Sequence, residues 1–168
     1  TRTAVLTVGG MGVTPVTVNL SGLGQAQALL QLSTNLIDFG SVVNGASSTA
    51  TISVTNRGDV PSGLPSFSMT PMGVFSVVSN TCGATIGAGV TCAVTLSFAP
   101  AAAGPQSATF GASAMPGGNP TATVQGTGIA PGALSITPTT RDFGSVVLMQ
   151  SGGFQDFTIR NTGGSNLS

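Results

Sequence analysis

Two cysteines, Cys82 and Cys92, are the residues whose type and spacing most directly suggest chemistry. They bracket a glycine-rich stretch in which Gly87 and Gly89 let the chain double back, so the spacing predicts a disulfide bond between them. Such a bond contributes about 3 kcal/mol in the chain-entropy model and implies an oxidising compartment. The alternative is a pair of buried free thiols in a reducing compartment. A metal site lacks further Cys or His ligands, and redox catalysis lacks the Cys-x-x-Cys spacing.

The other titratable side chains that could act as acid or base are four aspartates, Asp38, Asp59, Asp142 and Asp156. The chain has no His, Glu, Lys or Tyr, which are the usual groups for general acid-base catalysis at neutral pH. Asp38 and Asp142 precede the same pentapeptide, which predicts a structural role as acceptors of backbone hydrogen bonds at a turn. Asp59 is interpreted as a local surface pair with Arg57. We therefore predict no catalytic, cofactor or metal site and a protein that is not an enzyme.

Charge is scarce, with four arginines, four acidic residues and a formal net charge of zero. Four scattered arginines do not form the basic face that nucleic-acid binding needs. No apolar run approaches the roughly 20 residues of a membrane-spanning helix. A low-charge surface of Ser, Thr, Gly and Ala favours packing against neighbouring repeats of the same chain or copies of itself. Asn19 and Asn166 begin N-glycosylation patterns, which also occur by chance.

The sequence repeats itself with a shift of 104 residues, since the Phe-Gly-Ser-Val-Val of residues 39–43 returns at residues 143–147. The same shift pairs Gly22 with Gly126, Gly24 with Gly128, Met11 with Met115 and Leu30 with Leu134. After one extra residue, Asn56 and Gly58 align with Asn161 and Gly163. This period is too long for a solenoid unit and is typical of a string of small domains.

The repeat divides the chain into three parts. Residues 1–26 are predicted to be the C-terminal strands of one unit, residues 27–130 a complete unit, and residues 131–168 the N-terminal strands of a third. Only the middle part is large enough to bury a full core. We expect the sequence to be an excerpt of a longer array, and the alternative is that the end segments pair with other copies.

Apolar and polar residues alternate with a period of two along most of the middle part. The clearest strands are residues 49–55 and 91–98, and weaker ones are predicted at residues 30–33, 63–68, 74–78, 107–112 and 121–125. Turn residues separate them at intervals of about ten. About seven short strands with this spacing predict an all-β, two-sheet antiparallel sandwich with Greek-key connections, with a closed barrel as the lesser alternative.

The order of these motifs resembles the Hydin-type (ASH) immunoglobulin-like repeats, above all those of bacterial choice-of-anchor D surface proteins. The residues that carry the resemblance are those at 38–42, 54–58, 75–78, 82–92 and 94–100, with Gly104 and the closing Gly126-Thr127-Gly128. The resemblance implies seven-stranded, immunoglobulin-like antiparallel sandwiches in large secreted or surface-anchored bacterial proteins, where tandem copies serve as spacers, stalks or adhesive modules. It brings no catalytic residues.

Three functions are therefore considered. The first is a non-enzymatic stalk, spacer or fibre segment outside a bacterial cell. The second is a self-assembling filament subunit whose end strands complete neighbouring copies. The third is an adhesin that binds a host protein or glycan through loops such as residues 61–72 or 115–120.

Overall fold

The structure is a computed structural model that describes residues 1–167. It contains twelve β-strands, and the described residues form no helix that is long and apolar enough to cross a membrane. In chain order the strands are β1 (Arg2–Gly10), β2 (Val13–Gly22), β3 (Leu30–Leu32), β4 (Leu36–Val43), β5 (Ser48–Asn56), β6 (Ser66–Thr70), β7 (Phe75–Asn80), β8 (Thr91–Phe98), β9 (Gly104–Ser113), β10 (Thr121–Ile129), β11 (Leu134–Thr137) and β12 (Thr158–Asn161). The predicted all-β class is confirmed.

The strands β3 to β10 form two four-stranded sheets that share one core. One sheet has the order β4-β10-β9-β6 and the other β3-β5-β8-β7. The predicted sandwich is present, with eight strands instead of about seven. Within this mainly antiparallel sandwich one pair is parallel, that of β4 with β10. These two strands are distant in the sequence, so no tight turn has to join them.

The two strands with the clearest alternation, β5 and β8, lie at the centre of their sheet. Of their inward side chains, Ile52, Val54 and Val94 have no exposed surface. Each of the weaker predicted strands overlaps an observed strand. The bounds differ most at β6, which begins at Ser66 instead of residue 63.

Strand β4 is absent from the sequence-based prediction because a bulge breaks its alternation. Gly40 has a φ of 64°, a left-handed conformation that glycine adopts without strain. At this point one extra residue of β4 stands opposite β10, where the register shifts between Gln125 and Thr127. Ile37 and Val42 are both buried although they are five positions apart, so a period of two cannot relate them.

Aromatic rings fill the middle of the core. The ring of Phe98 is fully buried and stacks on Phe75 at a centroid distance of 4.6 Å, while Phe39 lies 5.7 Å from it. On the opposite sheet Gly126 faces this ring, and a Cβ atom there would come within 2.6 Å of Phe98. Glycine at position 126 therefore allows β10 to approach the aromatic cluster closely.

The hairpin β1–β2 reproduces the pairing of β9 with β10. Arg2 is the partner of Gly22, and after the 104-residue shift the same positions, Gln106 and Gly126, are partners in the central sandwich. All residues of both hairpin strands are exposed.

The pair β11–β12 reproduces the pairing of β3 with β5. Leu134 is the partner of Asn161, as Leu30 is of Asn56.

Of the two glycosylation patterns, the one at Asn19 lies within β2, and the last residue of the other, Ser168, lies outside the described residues.

Candidate functional site

The four aspartates are dispersed over the molecule. Within residues 1–167 no three His, Cys, Asp or Glu side chains come together in a way that could hold a metal ion. The structure does not bring the aspartates into one cleft. Asp38, at the β4 bulge, is the first of them along the chain, and its carboxylate accepts hydrogen bonds from two strands.

At this bulge Asp38 joins two strands. One carboxylate oxygen accepts a hydrogen bond from the backbone N–H of Gly40 at 2.8 Å, and the other accepts one from Nε2 of Gln125 on β10 at 2.9 Å. These two donors, Gln125 first, lower the pKa of the Asp38 carboxyl below its ordinary value. Asp142 accepts the same bond from Gly144 at 2.8 Å. The predicted structural role of the two aspartates at a turn is confirmed.

The predicted pairing of Arg57 with Asp59 is wrong, because the two side chains bind different partners. The Nε of Arg57 donates to Oε1 of Gln31 at 2.8 Å. The carboxylate of Asp59 accepts a bond from the backbone N–H of Ala26 at 2.8 Å, and the Asp59 N–H donates to the Ala26 carbonyl at 3.0 Å. Asp59 therefore attaches the segment that leads into the sandwich to the turn after β5.

Asn56 is the centre of this attachment, and its side chain is fully buried. Its Oδ1 accepts hydrogen bonds from the N–H groups of Leu29 and Gly58, both at 3.0 Å. Its Nδ2 donates to the carbonyls of Val60 at 2.8 Å and Ile86 at 2.9 Å. Every donor and acceptor of the amide is thus paired, as a buried polar group requires.

Gly58 completes the attachment through close backbone packing. A Cβ atom at this position would overlap the carbonyl group of Gln27. The adjacent Arg57 N–H donates to the Leu29 carbonyl at 2.7 Å. We call residues 26–29 together with residues 56–59 the joint clamp, because they hold the incoming segment of the sandwich on the turn that follows β5.

A second joint clamp occurs at the start of the third part, in residues 130–133 and 161–164. The Oδ1 of Asn161 accepts bonds from the N–H groups of Ala133 at 3.1 Å and Gly163 at 3.0 Å. Its Nδ2 donates to the Ser165 carbonyl at 2.8 Å. A Cβ on Gly163 would overlap the Pro131 carbonyl, as one on Gly58 would overlap that of Gln27.

Cys82 and Cys92 are joined by a disulfide bond in the structure, with a Cα–Cα distance of 5.0 Å. The bond connects the segment after β7 to the start of β8 and closes the loop between them. This loop inserts Ile86, which is 1% exposed, into the core. The Ile86 N–H donates to the hydroxyl of Ser62 at 2.9 Å. The cross-linked loop therefore contributes one buried side chain, that of Ile86, to the hydrophobic core.

Asn56 and Gly58 recur in the sequence at Asn161 and Gly163, but the recurrence alone predicts no role for these residues. A buried Asn at the end of a strand, followed two residues later by Gly, is a local pattern that predicts a side chain bonded to nearby backbone. Ile86 was missed because it lies among glycines outside any alternating strand.

The sequence model of the HYDIN/CFA65/VesB-like, Ig-like domain matches residues 28–127. This chain belongs to that family. The matched residues of the HYDIN/CFA65/VesB-like domain begin inside the first joint clamp and end in β10, so they cover nearly the whole sandwich. The resemblance to Hydin-type repeats is confirmed.

Solved structures with the same fold include the ASH/PapD-like domain 7 of human CEP192. Its similarity to this chain has a TM-score of 0.54 and 12% sequence identity, over 62% of this chain and 88% of the CEP192 domain. A Porphyromonas gingivalis W83 protein of unknown function is similar with a TM-score of 0.51 and 14% sequence identity, over 75% of this chain and 66% of that protein. The VesB protease of Vibrio cholerae is similar with a TM-score of 0.50 and 18% sequence identity, over 58% of this chain and 31% of the protease. No curated protein matches the sequence. At these identities the likenesses show the fold alone.

Proposed function

We propose that this chain is a non-enzymatic structural module, a stalk, spacer or fibre segment of a large secreted or surface-anchored bacterial protein of the choice-of-anchor D type. The observation that carries the proposal is the recurrence of the joint clamp at residues 26–29 and 130–133. The clamp recurs at both places where the chain passes into a new unit, so its role is to connect units. The hydrogen bonds of its asparagines all run to backbone groups and are not the contacts of a catalytic site.

The clamps limit how far neighbouring units can move. Because residues 26–29 are hydrogen-bonded to the sandwich that follows, only residues 23–25 separate β2 from the first clamp. Strand β10 ends at Ile129, and the second clamp begins with Ala130, whose backbone lies so near Gly164 that a Cβ atom on that glycine would come within 3.1 Å of it. Linkers this short leave little room for swinging, so a series of such units holds distance and direction.

An oxidising location is supported by the Cys82–Cys92 disulfide. Disulfides persist in secreted and cell-surface proteins and are rare in the reducing cytosol. The chain has only four basic and four acidic residues. A surface with so little charge favours packing against neighbouring repeats.

Electron microscopy of the native material tests the proposal. A stalk or fibre should show beads repeated about every 40 Å, because a ten-residue strand such as β9 spans about 33 Å and a short linker follows it. A compact particle without an axial repeat would contradict the proposal.

The adhesin hypothesis stays a prediction with a separate test. It requires saturable binding to a host protein or glycan panel that is lost on substitution within residues 61–72 or 115–120. Binding that persists after both loops are changed would exclude these loops as the recognition surface.

A further inference from the structure

One asparagine of the sequence is followed directly by glycine, Asn44 before Gly45. This dipeptide is especially prone to spontaneous deamidation, because glycine has no side chain to shield its backbone nitrogen from the preceding side-chain amide. A bond forms between the Gly45 nitrogen and Cγ of Asn44, and the Nδ2 group leaves as ammonia with the proton of the Gly45 N–H. Water then opens the cyclic imide to aspartate or isoaspartate at position 44.

The dipeptide occupies the corner of the tight turn between β4 and β5. The Ala46 N–H donates to the Val43 carbonyl at 2.9 Å and closes the turn, and Gly45 has a φ of 86°. A positive φ at the third residue of a turn favours glycine. The backbone of the turn therefore gives a conformational reason for the glycine.

The equivalent turn of the third part forms without this dipeptide. After the 104-residue shift its corner is Leu148-Met149. The Gln150 N–H donates to the Val147 carbonyl at 3.0 Å, and Met149 has a φ of 68°. The same backbone turn thus forms with other side chains. Turn geometry alone does not explain the asparagine of the central sandwich.

The side-chain amide of Asn44 bonds to the loop between β8 and β9, which we call the β8–β9 loop. Hydrogen bonding assigns the orientation of the amide, since Nδ2 then donates to the Ala102 carbonyl and Oδ1 accepts from the Ala103 N–H, both at 3.1 Å. The backbone N–H of Gly45 donates to the Pro100 carbonyl of the same loop at 3.0 Å. Both groups that would react with each other are therefore held by the β8–β9 loop.

The β8–β9 loop packs closely on the end of β10. Gly128 is buried, and a Cβ atom at this position would overlap the Ala102 carbonyl. The Asn44 N–H donates to the Ile129 carbonyl at 2.9 Å. Before the Gly45 nitrogen can attack, its N–H and the Asn44 amide both have to lose their bonds to the loop. The reaction therefore requires the loop to detach from the turn.

We propose that Asn44-Gly45 is a deamidation site that the native fold keeps closed and that local opening of the β8–β9 loop makes reactive. The product does not restore the closed arrangement. Aspartate or isoaspartate places a negatively charged oxygen where Nδ2 now donates, opposite the Ala102 carbonyl, so a donor is replaced by an acceptor. Opening of the loop thus leads to a covalent change and to a weaker attachment beside the end of β10.

Peptide mapping by mass spectrometry measures the reaction in the full 168-residue chain, incubated in water enriched in heavy oxygen. Deamidation during the incubation incorporates the label, and isoaspartate at position 44 identifies the route through the cyclic imide. The folded chain should react roughly tenfold more slowly than the chain unfolded in urea, equivalent to about 1.4 kcal/mol of opening. Equal rates in the two conditions, or no isoaspartate at position 44 in the unfolded chain, would overturn the proposal.

Gly128→Ala tests whether the β8–β9 loop controls the reaction, because the added Cβ pushes the loop away from β10. Folded G128A should deamidate at position 44 faster than the parent. Gly24→Ala is the matched control, since it lies at the equivalent position of the repeat and its added Cβ meets nothing within 4 Å. Circular dichroism establishes that the compared chains are folded. A folded G128A that reacts at the parent's rate would contradict control by the loop.

Hydrogen exchange of the parent provides a test that needs no variant. The Gly45 and Ala103 amides donate to the bonds that have to break, so they should exchange through the opening that permits deamidation. As urea is raised below the unfolding transition, the deamidation rate should rise in proportion to the exchange of these two amides. Deamidation that instead follows the amides of the central strand β8 would show that only global unfolding exposes the site, and would overturn the proposal.

Asn44→Asp tests the effect of the product. In N44D the Gly45 amide, which donates to Pro100, should exchange with solvent faster than in the parent. Asn35→Asp is the matched control, because it adds the same charge at an exposed position just before β4. An unchanged Gly45 amide in N44D would refute the weakened attachment. None of these outcomes bears on the stalk function, which the axial repeat of native material tests separately.

Discussion

Asn56 and Ile86 meet inside the sandwich, where Nδ2 of Asn56 donates a hydrogen bond to the carbonyl oxygen of Ile86 at 2.9 Å. Ile86 belongs to the disulfide-closed loop, and Asn56 also binds the N–H of Leu29 in the incoming segment. One buried amide therefore links the joint clamp to the cross-linked loop. Strengthening or weakening either feature should affect the other.

Replacing Asn56 by Ala should destabilise the central sandwich by about 3 kcal/mol, because the Gly58 N–H in a buried bond and the Leu29 N–H in a partly buried one lose their acceptor. Urea denaturation followed by circular dichroism measures the change. Asn161→Ala is the matched control, since Asn161 is exposed and makes its bonds outside the central core. Equal loss of stability in both variants would contradict a core role for Asn56.

Replacing Gly58 by Ala should open the first joint clamp, because the added Cβ overlaps the Gln27 carbonyl. The Asp59 and Arg57 amides, which donate to Ala26 and Leu29, should exchange with solvent roughly tenfold faster or more, equivalent to about 1.4 kcal/mol of local opening. Hydrogen exchange followed by NMR gives the rates.

Gly83→Ala is the control for this measurement, because a Cβ there meets only the Thr85 carbonyl at 3.8 Å, an ordinary contact. If G58A exchanges these amides at the parent's rate, the clamp does not depend on close packing at Gly58.

Removing the disulfide with C82A/C92A should lower the free energy of unfolding by about 3 kcal/mol, as expected from the loop that the bond closes. Thermal or urea unfolding of the variant against the oxidised parent measures the loss. Intact mass of native material with and without reductant and alkylation checks the bond itself. Two free thiols in native material would contradict both the bond and the proposed oxidising location.

Stability should fall with acid in part through Asp38. Its folded-state pKa lies below the ordinary value of 3.8, so its contribution is present above that pH and is lost as pH falls through the lower folded-state value. Asp38→Asn should flatten the stability profile below about pH 4. Denaturation curves from about pH 2 to 7 measure this, and Asp156→Asn controls for the loss of one negative charge. An unchanged acid limb in D38N would contradict the role of this carboxylate.

The strands that the sequence predicted best are those in which buried and exposed positions alternate regularly along the whole strand. In β5 and β8 buried positions alternate with exposed or half-buried ones, and Ile52, Val54 and Val94 occupy buried positions. Where Gly40 inserts a bulge, the alternation changes phase and β4 disappears from the pattern. Local periodicity describes a strand only while its pleat is regular.

The sequence by itself determined the all-β class, the 104-residue repeat, and a cysteine spacing that suits a disulfide, since these depend on neighbouring residues or on exact recurrence. Only the tertiary structure decided that β4 runs parallel to β10, that Asp59 binds Ala26 instead of Arg57, and that Asn56 joins three segments. These contacts connect residues far apart in the chain. Their partners are chosen by the packing of whole sheets, which no short stretch of sequence encodes.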